Sequence, residues 1–278
     1  MTETRPTDAP AGTDTSDAVA MAVARLLDAA AAGTPCSPVR DLIGPDDVDA
    51  AYAVQQRIAA ARTGAGGRVV GRKIGLTSVA VQQQLGVYQP DFGVLFEDMG
   101  YLDGDTVPYA SVPQPKVEAE VAFLLGADLV DGELDLAHVR AAVDEMAAAL
   151  EICSSRIAGW DITFADTIAD NASAGAYVLG STRRRLADVD PREVVMTMSI
   201  DGDVVSTGDG AACMGDPLLA LQWLARRARE LGDPLRAGQV VLSGALGPMR
   251  PVAPGAQVRA VISGLGEVSV RFSAEGAT

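Results

Sequence analysis

Histidine is almost missing from this sequence: 278 residues include one, His138, with no recognisable motif around it. A Ser-His-Asp or Cys-His hydrolase needs an imidazole base beside its nucleophile. That chemistry has no support here, and His138 is expected to be a surface or packing residue. Cysteine is equally sparse. Cys36, Cys153 and Cys213 lie far apart with no C-x-x-C spacing, which indicates neither a disulfide framework nor a thiolate zinc site. Positive charge is also short: 22 Lys and Arg against 37 Asp and Glu give a formal charge of −15. The pI near 4.4 argues against nucleic acid or an anionic membrane as partner, since both require a basic surface. An anionic substrate would have to find local positive charge. No apolar run approaches the roughly 18 residues of a membrane span, and the N-terminus lacks a basic-then-apolar signal pattern. The expected location is cytoplasmic.

What the sequence does contain is enough apolar material, 48% of residues, to bury a large core. Residues 1–15, rich in Thr, Asp, Pro, Ala and Gly, are expected to form a disordered tail. Helical spacing of Val19, Val23, Leu26, Leu27 and Ala30 follows, with Ser16 as the N-cap. A second helix opens at Pro45-Asp46-Asp47 and carries Val48, Ala51, Val54 and Ile58 on one stripe. Beyond Gly67 the pattern changes to short apolar runs separated by Gly, Pro and Asp: 69–76, 117–125, 194–200, 240–242, 258–262 and 268–272. These read as strands. Two further helices are expected over 136–150 and 217–231, and Asp201-Gly202 marks a hairpin turn. The reading is an α+β fold: a helical N-terminal region, 16–68, ahead of a strand-rich domain, 69–278.

The richest stretch is Lys116-Val117-Glu118-Ala119-Glu120-Val121. On a strand, residues two apart share a face, so Glu118 and Glu120 project side by side while Val117, Ala119, Val121 and Phe123 turn to the core. Adjacent carboxylates repel unless something positive lies between them. A solvated acidic face is the ordinary reading of Glu-x-Glu; flanks this apolar favour a buried pair that holds a cation. In Gly71-Arg72-Lys73-Ile74-Gly75 the lysine shares a strand face with two glycines, which suits close approach of a ligand. A strand-end lysine reaching solvent is the alternative. Asp91 sits in the turn-rich Gln89-Pro90-Asp91-Phe92-Gly93, where a turn-forming role is equally open. Glu151 is expected just past a helix, at the start of a short extended segment. The polar run Asp166 to Ser173 reads as a structured loop rather than a ligand set. Ser243-Gly244-Ala245-Leu246-Gly247-Pro248 offers glycine-spaced backbone N–H groups after a strand, a cradle for a carboxylate.

Taken together and in order, GRKIGLTS at 71–78, QQQLGV at 82–87, QPDFG at 89–93, VEAE at 117–120, ADNAS at 169–173 and SGALGPM at 243–249 resemble the 2-keto-4-pentenoate hydratases of the fumarylacetoacetate hydrolase superfamily. The resemblance runs from about residue 40 to 273. It implies a mixed β-roll catalytic domain, a helical N-terminal part, a divalent metal, and assembly into homo-oligomers. Mapped residue by residue, it implies Glu118, Glu120 and Glu151 as metal ligands and Lys73 and Asp91 as catalytic residues. Ser243 and Gly244 would hold the substrate carboxylate. Three carboxylates without His or Cys suit Mg²⁺ or Mn²⁺, and the implied substrate is a 2-hydroxy-2,4-dienoate, a small anionic acid. The implied partners are a pathway decarboxylase or aldolase. The related alternative is a 4-oxalocrotonate-type decarboxylase, whose relatives tend to lack the aspartate at 91; an acylpyruvate hydrolase or a non-catalytic hydratase-like subunit fits less well.

Overall fold

The structure, a computed structural model, describes residues 15–78, 82 and 89–274. The expected tail lies outside these residues except for Thr15, as does most of the motif at 82–87. Helix α1 (Thr15–Ala32) begins one residue before the expected cap, so Ser16 lies in its first turn. Helix α2 is a single turn (Arg40–Ile43), and α3 (Val48–Gly64) starts where its acids predicted, with the Asp47 side chain accepting from the Ala50 N–H. Val19, Leu26, Tyr52 and Val54 from these helices share one apolar cluster with strand residues Ile74 and Phe92.

The strands form two sheets. The larger is built from β1 (Val69–Gly75), β2 (Asp91–Phe96), β3 (Gly100–Leu102), β5 (Lys116–Leu125), β6 (Val143–Cys153), β7 (Ala174–Leu179), β10 (Val240–Ala245) and β11 (Arg250–Pro251). Their order is β2-β1-β10-β5-β6-β7-β3, with β11 paired to β5. Pairing is mixed, with β1 parallel to β10 and β3 parallel to β7. The smaller sheet takes β4 (Thr106–Val107), β8 (Val195–Ile200), β9 (Asp203–Asp209), β12 (Gln257–Ile262) and β13 (Gly266–Phe272), in the order β4-β13-β12-β8-β9. The β8–β9 hairpin turns at Asp201 and Gly202, both at positive φ (53° and 93°), as the Asp-Gly pair predicted. Among the described residues no helix is long and apolar enough to cross a membrane.

One expected element is wrong. The helix read over 136–150 is a seven-residue helix, α4 (Leu136–Ala142), capped by Asp135, followed directly by strand β6. The Ala-rich run 147–149 favours a helix locally, but here it crosses the middle of a sheet between β5 and β7, buried on both faces. A strand buried on both faces carries no polar alternation to give it away. Met146, Ala148, Leu150 and Ile152 enter the main core, leaving Ala147, Ala149, Glu151 and Cys153 on the other face. Glu151 is therefore a mid-sheet residue near the end of a long strand. Short helix α5 (Phe164–Ala169) replaces part of the expected loop at 166–173, and α6 (Pro217–Glu230) matches its expected range with Asp216 as cap.

Candidate active site

Register explains how residues far apart in sequence share one surface. On β5 and β6, Glu118 lies opposite Glu151 and Glu120 opposite Ala149. On β1 and β2, Lys73 lies opposite Gly93 and Gly75 opposite Asp91. Strand β10 bridges the two pairs, with Leu242 opposite both Lys73 and Ala122. Because side chains alternate along each strand, Lys73, Asp91, Glu118, Glu120 and Glu151 all project from the same face of the large sheet. All are buried; Glu118, at 9% exposure, is the most open.

The carboxylates are crowded and under-satisfied. Glu120 Oε2 accepts the Gly244 N–H at 2.6 Å, while its Oε1 and both Glu151 oxygens have no aligned hydrogen-bond partner among the described residues. Lys73 Nζ lies 3.1 Å from Glu151 Oε1. Burial, reinforced by the neighbouring glutamates, pushes Glu120 well above the usual carboxylate range. Burial likewise lifts Glu151 to about 7 against the opposing pull of Lys73. Buried acids with orphaned oxygens call for protons or a cation. Donor atoms of Glu118, Glu151 and Cys153 all lie within 4.8 Å of one another. The Cys153 thiol donates to Glu118 Oε1 at 3.6 Å, and burial holds it well above the normal thiol range; a hard ion takes carboxylate oxygen in preference to sulfur. The oxygen donors that remain fit a hard divalent ion.

Lys73 and Asp91 are fitted to each other by a missing side chain. A Cβ on Gly75 would lie 2.2 Å from Asp91 Oδ1 and 3.2 Å from Lys73 Nζ. Glycine there makes the space both polar groups occupy. Gly71 serves a different need, because a Cβ would collide with the Val240 carbonyl of β10; it permits strand packing rather than ligand approach. Asp91 is not a turn residue but the first residue of β2, 1% exposed. Its Oδ2 accepts from the Thr167 hydroxyl at 3.1 Å, and Oδ1 has no partner among the described residues. Burial raises its pKa and Lys73 opposes the rise. For Lys73, burial alone would lower the pKa, but Glu151 and the other acidic groups outweigh it and hold the group charged.

The polar run 166–173 contributes backbone rather than ligands. Asn171, Ala172 and Ser173 are three consecutive non-glycine residues at positive φ (55°, 49° and 53°), and the Ala172 carbonyl accepts from Lys73 Nζ at 2.9 Å. Such strain persists only where surroundings over-determine it. Here the Asn171 amide bonds both backbone groups of Val94 (2.7 and 2.9 Å). Ser173 O accepts from Ser154 N at 2.7 Å, and Arg156 pairs with Asp170. Sequence reasoning missed Thr167, Ala172 and Cys153; only the density of small polar residues at 166–173 hinted at a special turn. The Ser243–Gly244 cradle also differs from expectation. Gly244 (φ 112°) gives its N–H to Glu120, and Cys213 Sγ lies 3.0 Å from the Ser243 carbonyl, so that glycine N–H orients a carboxylate of the protein itself.

Comparison with known proteins gives the family. The profile of the Fumarylacetoacetate (FAA) hydrolase C-terminal family matches residues 68–273. The TodF product hydratase of Pseudomonas putida strain F1 is 53% identical over 256 residues, covering 92% of this chain and 96% of that protein. The 2-keto-4-pentenoate hydratase of Paraburkholderia xenovorans strain LB400 is 53% identical over 247 residues, 89% of this chain and 92% of its own. Among solved structures, 4-oxalocrotonate decarboxylase from Pseudomonas putida G7, complexed with magnesium and adipate, superposes with a TM-score of 0.89 at 32% identity, covering 94% of this chain and 99% of that one. With its strands, register and buried acids as described, the chain belongs to the fumarylacetoacetate hydrolase family, within the 2-keto-4-pentenoate hydratase branch.

Proposed function

We propose that this protein is a hydro-lyase that adds water to a 2-hydroxy-2,4-dienoate to give a 4-hydroxy-2-oxo acid. The observation that carries the reading is the single buried face joining Glu118, Glu120 and Glu151 to Lys73 and Asp91. Glu118, Glu120 and Glu151 would hold a divalent cation, Mg²⁺ or Mn²⁺, which supplies Lewis acidity toward the substrate carboxylate and 2-oxygen when bound. The chain's own groups do the rest. Lys73, fixed by the Ala172 carbonyl and charged, stabilises negative charge as it builds on the 2-oxygen. Asp91, with a raised pKa and one oxygen unpartnered among the described residues, moves protons. The 2-hydroxyl gives up its proton, C5 gains one, and the resulting 2-oxo-3-enoate takes hydroxyl at C4 and a proton at C3, so the net addition is one water. With the Gly244 N–H spent on Glu120, Ser243 and Gly244 position that glutamate at the end of the site assigned to the substrate carboxylate. The family resemblance further supports a homo-oligomer working beside a pathway decarboxylase or aldolase.

A second reading, decarboxylation, has the 4-oxalocrotonate decarboxylase superposition in its favour. Identity of 53% to hydratases against 32% to that enzyme favours hydration, as does a buried Asp91 available for the proton transfers that hydration needs. The test is to incubate Mg²⁺-loaded protein with 2-hydroxypenta-2,4-dienoate and with 2-oxohex-3-enedioate. Water addition to the first, with solvent deuterium entering the carbon chain, is expected. Asp91→Asn should slow it by roughly 10² to 10⁴. Rapid CO₂ release from the second with no hydration of the first would reverse the assignment.

A further inference from the structure

Strand β1 carries a second buried cation on its opposite face. Arg72 lies opposite Val94, is 2% exposed, and forms part of the wall of a cavity of about 440 Å³ between α3, α6 and the β1–β2 floor. Gln56, Ala60, Phe92, Val94 and Ala228 line much of the rest, so the walls are mainly apolar. The volume falls within the range of small-molecule sites, about 300–1,000 Å³. Deep inside, the Gln55 amide is already spent on the Phe92 and Ile168 carbonyls (2.8 and 2.9 Å).

The guanidinium is half satisfied. Nη1 donates to the Gly71 carbonyl at 2.9 Å, and Nη2 donates to Asp233 Oδ2. Nε, which shares an edge with Nη2, has no partner among the described residues. Two parallel N–H groups on one edge are built for a planar two-oxygen acceptor, and Asp233 engages only one of them. Asp233 is itself 72% exposed, so water can solvate it if it is displaced.

We infer that this cavity is a second ligand site, separate from the glutamate face, which takes a monocarboxylate with an apolar body. The carboxylate would bridge Arg72 Nε and Nη2 in place of Asp233, and the body would lie along Ala60, Phe92 and Val94. A single lining cation and a nearby acid suit one negative charge rather than two. The inference does not depend on the proposed reaction.

The test uses benzoate as probe and benzyl alcohol as its neutral counterpart, in calorimetry on the full chain with saturating Mg²⁺ and oxalate occupying the glutamate face. Benzoate is expected to bind at one per chain and benzyl alcohol far more weakly. Arg72→Met should weaken benzoate by about tenfold or more, the loss of a charge-assisted pair. Asp233→Ala, with folding checked by circular dichroism and thermal melting, should tighten binding several-fold by removing the competitor. Absence of benzoate binding, competition by Mg²⁺ and oxalate, equal binding of the alcohol, indifference to Arg72→Met, or unchanged or weaker binding to Asp233→Ala would each overturn the inference. If Arg72→Met does not fold, the Asp233→Ala result decides.

Discussion

The two sheets treat charge in opposite ways. On β12 of the smaller sheet, burial alternates residue by residue, with Val258, Ala260 and Ile262 inside and Gln257, Arg259 and Val261 outside. Its Arg259–Glu267 pair is half exposed. On β5 of the large sheet nearly every residue is buried, and the charges are buried with them. A surface pair gains little because water screens it and both side chains lose freedom. A buried acid without a full set of partners costs several times more, so a protein that retains five ionisable groups on one buried face does so for chemistry rather than for stability.

That contrast breaks most completely at Glu151. Glu151→Ala should reduce Mg²⁺ affinity in calorimetry by more than about 10²-fold, beyond what loss of an outer-sphere partner typically costs, and abolish turnover. Wild-type affinity in the variant would remove Glu151 from the ligand set. Lys73→Met should leave the fold and Mg²⁺ binding intact while lowering kcat by on the order of 10²; near-normal kcat in the folded variant would return Lys73 to a structural role.

A smaller effect separates the sheets by pH. Glu151 rises from the usual 4.5 to about 7 by burial, so between these values the folded, metal-free protein keeps a proton that the unfolded chain has released. Stability from that proton is complete below the unfolded value and is lost as pH rises through 7. Thermal scans of metal-free protein should therefore show Tm falling from about pH 5 to 8, and Mg²⁺ at 100 times its Kd should restore about 2.7 kcal/mol at the upper end. A flat or rising Tm without metal would show that the glutamates are ionised without cost. The smallest effect belongs to the exposed pair: Arg259→Ala should shift stability by no more than about 0.5 kcal/mol in urea titration, with activity unchanged.

Sequence alone made the alternation at Glu118 and Glu120 visible, because flanks as apolar as Val117, Ala119, Val121 and Phe123 tip a Glu-x-Glu strand from a solvated face to a buried pair. Gly75 beside Lys73 was legible too, although Gly71, equally suggestive, turned out to serve strand packing. Strand β6 was not legible. Its alanines prefer a helix, and only pairing with β5 and β7 makes them a strand. The strained turn at Asn171–Ser173 was hidden because its contribution is a carbonyl, which no side-chain motif records. The Arg72 cavity depends on how α3 and α6 diverge over the sheet, a matter of packing between segments more than 150 positions apart in the chain.

Strand order also dictates when this protein becomes chemically competent. Lys73 reaches the β5–β6 glutamates only through β10, whose Val240 pairs with Gly71. A chain emerging from the ribosome, N-terminus first, therefore carries its lysine and all three glutamates for the time needed to make almost ninety further residues past Glu151 before the strand that unites them exists. Until β10 is made, the acids and the lysine lack the strand that joins them, and the candidate site takes its observed form only after residue 245.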